Sequence, residues 1–399
     1  MSLNFIAQLI WLFGFHIERL ILLSVTGLSL LILFFFMERS ANAIQLKALI
    51  ILSALFGIMN SESGFIVRSI IDLCTFGIIS SVFLIQRIEL KQLKNLFYLI
   101  IVSSLIYFIY TITKMDLSMI FDTIDRRDAF RQYGNESFES GARIGFIIYS
   151  TQQYIIGVLL LSLLLLPLYY NEKKAKVYWL TLGFIIVVNI IFIGTYQKRQ
   201  QLLELSLILL IFIFYYRKLL PGLIPRSKIF SILIITSLVA YGVSLGVFNS
   251  TISRLTQSIE KIDSFDRISE LRFALNKFSV VDIIFGKGIG SEIEGTLGGN
   301  NLHIGYGTLL MKGGLFLLIF YFSKTVSNII YCFKKSKKYP IFYVGVAISF
   351  FSLIQLSYAP GWGWFLTSVI TGLAMFSRYL IKRIIHYKYY KPHAQQDNI

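Results

Sequence analysis

A chain of 399 residues that is 56% hydrophobic and 16% aromatic but only 15% charged departs from the balance of a soluble domain, and apolar runs of about 17 to 25 residues recur along it. The formal charge of +17 comes from basic residues gathered in alternate short loops, which points to membrane topology and anionic lipid and away from nucleic acid. Two cysteines, Cys74 and Cys332, are too few and too differently situated for a disulfide framework or a metal cluster.

Taken in chain order, the hydrophobic pattern predicts helices near residues 3–15, 18–37, 48–60, 65–86, 95–113, 144–169, 177–194, 200–216, 228–248, 302–331, 340–358 and 362–381. The fold expected is therefore all-α and polytopic, a single integral membrane domain over 1–399 with about twelve transmembrane helices. The first apolar stretch lacks a basic leader and a small-residue cleavage site, so it reads as a retained helix. Basic clusters at Arg87/Lys91/Lys94, Lys173/Lys174/Lys176, Arg217/Lys218/Arg226/Lys228, Lys334/Lys335/Lys337/Lys338 and Arg383/Lys388/Lys391 mark the cytoplasmic loops. They put both termini on the cytoplasmic side.

Under this topology two extracytoplasmic loops are long, about 113–143 and 249–301. Loops of that length in a compact protein are commonly functional or disordered. In the first, Asp122, Asp125, Arg126, Arg127, Asp128 and Arg131 are spaced to pair along a helix, whereas Arg143 stands apart from that cluster, following Gly141-Ala142 at the mouth of a span. Arg68 and Asp72, four apart in a span, are expected to pair with each other, because a lone charge in a bilayer costs ~2.5–3.5 kcal/mol on insertion scales. Glu204 follows the mouth Gln197-Lys198-Arg199, where it either orients Arg199 or Lys198 or acts as a base in a wet cavity.

The second loop carries an amphipathic pattern from Asp266 to Leu275, with Leu271, Ala274, Leu275 and Phe278 on one side. A surface helix over the membrane-embedded core is expected there. Arg267 and Arg272 lie on it, each open to two roles: binding substrate, or an exposed salt bridge to Asp263, Asp266 or Glu270 that contributes little. The run Gly286-Lys287-Gly288-Ile289-Gly290 could offer backbone N–H groups to an anion or form a tight turn. His303 follows Asn300-Asn301 at the outer start of a span, a position suited to a ligand or base and also to a solvated interfacial residue.

The order of these residues resembles a family signature. Arg267, then Gly286-Lys287-Gly288-Ile289-Gly290, then His303-x-x-Tyr306 and Gly313-Gly314-Leu315 at the head of a span, is similar to the C-terminal signature of the O-antigen polymerase (Wzy) and O-antigen ligase (WaaL) superfamily. The Tyr196-Gln197-Lys198-Arg199 mouth with Leu202-Leu203 behind it resembles that superfamily's arginine between two central spans, and the Arg272-to-Gly288 spacing resembles one found in polymerases. The motifs span about residues 140–330. Ile304 stands where the family often has asparagine, which favours polymerase over ligase.

The resemblance implies a glycosyltransferase of the bacterial inner membrane with its active site on the periplasmic side, making O-antigen or capsular polysaccharide. Donor and acceptor would be undecaprenyl pyrophosphate-linked oligosaccharides, and a flippase and a chain-length regulator would be partners. His303, Arg267 and Arg272 would be catalytic, and Arg199, Arg143, Lys198, Glu204, Tyr306 and Gly288 would bind substrate, with no cofactor and no metal. The sequence also leaves a ligase acting on the lipid A core, or a lipid-linked oligosaccharide flippase, as alternatives. A flippase has less use for the 249–301 loop.

Overall fold

The computed structural model describes residues 40–60, 266–293, 302, 304–357 and 365–389, together with Ser69, Ile70, Asp72, Leu73, Phe76 and Ile79. All belong to one compact unit, Met1–Leu90 with Ser264–Ile399. The ordered elements are helices: α1 (Ala41–Met59), α2 (Asp266–Asn276), α3 (Val280–Phe285), α4 (Gly305–Ser336), α5 (Phe342–Leu356) and α6 (Phe365–Tyr389). No strand occurs among the described residues. The other predicted spans, and loop 113–143, lie outside them.

Two of these helices, α1 and α4, are long and apolar enough to cross a membrane. Their outward faces carry Ile44, Ile51, Leu55 and Ile58 on α1 and Phe316, Ile319, Val326, Ile330 and Phe333 on α4, all well exposed. Spaced three, four or seven apart, such residues form apolar stripes along one helix face, which water disfavours and lipid tolerates. The part of α4 beyond Gly314, residues 315–336, is about 33 Å long, enough for the roughly 30 Å hydrocarbon layer.

The predicted boundaries shift in instructive ways. The span placed at 48–60 begins at Ala41, because Ser40 accepts from the Ala43 N–H and caps the helix about two turns before Lys47. The span placed at 302–331 runs on to Ser336, where Lys334 and Lys335 occupy the last turn and meet its carbonyl dipole. Helix α2 forms where the amphipathic pattern put it, and Ala274 is buried with Leu271 and Phe278 packed beside it. Leu275, expected on that same side, is instead 37% exposed.

Helices α4, α5 and α6 pack against one another, with small residues at their junction. A Cβ on Gly345 would stand 2.9 Å from Cys332 Sγ and from Ile381 Cδ1, so glycine permits the close approach common between helices in membranes. Buried Asn328 ties the three together. Its Nδ2 donates to Ser349 Oγ (3.1 Å) and Ser377 Oγ (2.8 Å), while its Oδ1 accepts from the Arg378 N–H (3.2 Å). Tyr321 and Ser352 hydroxyls, 2.9 Å apart, form a second buried polar link between α4 and α5.

Candidate functional site

The glycine run is the centre of the described structure. Ser279 opens α3 with a reciprocal capping box: its N–H donates to Asp282 Oδ2 (2.9 Å) and its Oγ accepts from the Asp282 N–H (3.1 Å). Phe285 stacks on Phe56 of α1 at 5.0 Å and meets Phe316 of α4 at 5.4 Å, which steers the chain between those two helices. Gly286, Gly288 and Gly290 then take positive φ of 82°, 96° and 77°.

Every backbone N–H in this loop is used within the chain. Gly286 donates to Asp282 O (2.8 Å), Lys287 and Gly288 to Met311 O (2.7 and 3.3 Å), and Ile289 to Ser53 O (2.9 Å). The Gly290 N–H donates to Asp72 Oδ2 at 2.7 Å. So the anion that the loop meets is a carboxylate of its own chain. Gly288, expected to face substrate, is buried, and a Cβ there would collide with the backbone of Gly57 and Ser53.

Opposite the loop, α4 is broken. Gly314 has φ 60° and ψ −161° inside an otherwise helical run, a conformation that L side chains avoid. A Cβ on it would also run into Ile284 O and stand 2.6 Å from Gly286 N. The break releases carbonyls that a continuous helix would consume: Met311 O accepts from the loop, and Lys312 O accepts from Ser53 Oγ.

Lys312 closes the arrangement. Its ammonium lies 2.7 Å from Asp72 Oδ2 and donates to Ser291 O at 2.9 Å, with the Lys312 side chain 1% and the Asp72 side chain 5% exposed. Arg68, expected to pair with Asp72, lies outside the described residues; Asp72 Oδ2 is shared between Lys312 and the Gly290 N–H. A carboxylate held by an ammonium and an amide in a buried site has its charge matched. Sequence reasoning passed over Lys312, although a lysine inside an apolar span beside Gly313-Gly314 is itself a signal.

Above this lock, Ala274, Ile293, Leu302 and Met311 form a buried cluster with Leu271 and Phe278 at its edge. It seats α2 on the head of α4. A Cβ on Gly307 would stand 2.8 Å from Leu271 Cδ1 and 2.9 Å from Leu302 Cδ1, so glycine at that position lets α2 close onto α4. Arg272, next to Leu271, is exposed and has no carboxylate partner among the described residues. Arg267 lies on the same helix, with its side chain outside the described residues.

Tyr306 is committed to packing: its hydroxyl donates to Leu353 O (2.6 Å) and its ring stacks on Phe322 at 5.1 Å. The neighbouring Thr308 hydroxyl donates to Leu302 O at 3.0 Å and fixes the turn that leads into α4. His303, between Leu302 and Ile304, lies outside the described residues, as do Arg143, Lys198, Arg199 and Glu204. Glu270, one candidate partner for the arginines, is buried on α2.

No family model matches the chain, and no curated protein or solved structure matches it significantly. The geometry and the sequence motifs therefore carry the functional argument.

Proposed function

We propose that this chain is a polymerase of bacterial surface polysaccharide, O-antigen or capsule, embedded through about twelve helices in the inner membrane. It would transfer a growing glycan from undecaprenyl pyrophosphate to a sugar hydroxyl of another lipid-linked repeat unit on the periplasmic face. The observation that supports this reading is the seating of α2: Leu271 and Ala274 fix an arginine-bearing helix on the head of α4, with Arg272 exposed and lacking a carboxylate partner among the described residues. The described parts of the Arg272, glycine-run and Tyr306 motifs belong to one compact unit.

The chemistry follows from residue types. The anomeric C–O bond to pyrophosphate breaks, the acceptor oxygen attacks the opposite face, and the configuration inverts through an oxocarbenium-like state. Arg267 and Arg272, with Arg199, Arg143 and Lys198, would neutralise the departing pyrophosphate, for which the guanidinium fork is suited. His303 would take the acceptor's proton, and Glu204 would orient the basic mouth. Pyrophosphate on a lipid is already a good leaving group, so arginines can supply the electrostatic stabilisation without a metal.

The test is purified protein with synthetic lipid-linked repeat units, in chelator. Polymer is expected from the wild type and little from His303→Ala. No polymer from the wild type, joined with transfer of glycan to a lipid A core acceptor, would move the assignment to the ligase reaction; no transfer to either acceptor would reject both.

A further inference from the structure

We propose that the ends of α4 and α6 remote from the glycine loop form a binding site for the phosphodiester headgroup of an anionic phospholipid. This goes beyond the glycosyl-transfer reading and requires only that α4 and α6 lie in a bilayer. Between Glu294 and Asp397 the sequence contains no carboxylate, yet this stretch holds Lys334, Lys335, Lys337, Lys338, Arg378 and Lys382. None of these six has a carboxylate partner among the described residues.

The cations are positioned, which separates them from a diffuse basic tail. Arg378 and Lys382, one turn apart on α6, both stand over the Tyr331 ring of α4, at 5.8 and 5.1 Å from its centroid, and Arg378 also covers Tyr379 at 5.1 Å. Their register is set from below by Asn328, which holds both the Arg378 N–H and the Ser377 hydroxyl. The Tyr379 hydroxyl is in turn tied to Asn42 of α1 at 2.9 Å.

The guanidinium itself is barely engaged. Its contacts to Ser327 Oγ at 3.5 Å and to Tyr379 Oη at 3.4 Å are long for hydrogen bonds and leave most of its five donors open among the described residues. A planar fork with free donors, backed by tyrosine rings and flanked by the exposed ammonium of Lys382, fits a phosphate diester at the level where tyrosines and basic residues meet lipid headgroups. The longer stems reach that level along apolar helix surface.

Native mass spectrometry of the full-length protein in detergent, titrated with phosphatidylglycerol and with phosphatidylcholine of the same acyl chains, tests the site. Wild type should prefer phosphatidylglycerol, and Arg378→Gln with Lys382→Gln should lose on the order of fivefold in that preference per cation removed. Lys277→Gln, just beyond α2, should keep it. Thermal unfolding in phosphatidylcholine alone reports whether the double variant is folded; if it is not, Lys382→Gln, a change at an exposed side chain, gives the readout by itself. Equal affinity of the wild type for both lipids, or an undiminished preference in the folded variants, overturns the proposal.

Discussion

Lys312 and Asp72, 240 positions apart in the sequence, meet at 2.7 Å as a buried ion pair, and the Gly290 N–H completes the carboxylate's shell. The pair joins the broken α4, the helical residues around Asp72 and the glycine loop. Its removal from one side leaves an uncompensated buried charge, which costs far more than the pair gains on forming.

Asp72→Asn or Lys312→Met alone should therefore destabilise the protein by about 3–5 kcal/mol. The double variant should cost less than the sum by roughly 0.5–3 kcal/mol, as expected for groups in contact. Unfolding in detergent measures both. In a parallel assay, Ser291→Cys, 4% exposed in the native loop, should resist a thiol reagent until Asp72→Asn is added. Full additivity of the single changes, with a protected cysteine throughout, would contradict the lock.

Gly314→Ala should be among the most harmful small substitutions, combining about 1–3 kcal/mol of backbone strain with the collision against Ile284 O. Val280→Ala, at a side chain 73% exposed, should stay within about 0.5 kcal/mol. Comparable stability of the two variants would show that the break in α4 tolerates an ordinary residue.

Arg272 and Tyr306 should separate in opposite directions. Because Arg272 is exposed, Arg272→Ala should leave unfolding nearly unchanged while reducing polymer, and lysine should restore little of it. Tyr306→Phe removes a hydroxyl bonded to Leu353 O, so it should cost about 1 kcal/mol of stability and spare turnover per folded molecule. Normal polymer from Arg272→Ala at wild-type expression counts against Arg272 as a phosphate contact.

His303→Ala should lower the transfer rate by ~10²–10⁴-fold, the range for loss of a general base, with lipid-linked repeats accumulating in cells. If His303 only packs, His303→Gln will polymerise at the wild-type rate.

Orientation is checked with single cysteines. Lys337→Cys, exposed beyond α4, should react with a membrane-impermeant reagent only after permeabilisation, and Leu275→Cys on α2 should react in intact cells. Labelling in the reverse order would invert the topology.

What the sequence determined by itself is local. Alternation of polar and apolar residues at helical spacing was enough for α2 and for the last three long helices, since a helix needs only its own periodicity and a cap. Glycines at alternate positions announced a tight turn or an anion-facing backbone, whereas the break of α4 at Gly314 and the place of Lys312 were not legible there. Which groups those glycines would face was a matter for tertiary structure alone. Lys312 is 240 positions from Asp72, and no local rule points to so distant a partner. The contact forms because Gly57 and Gly288, lacking side chains, let the loop backbone press against α1, which carries Gly290 and Ser291 to the depth of Asp72 and Lys312. Buried charge selects its partner by desolvation, and desolvation exists only once the chain is packed.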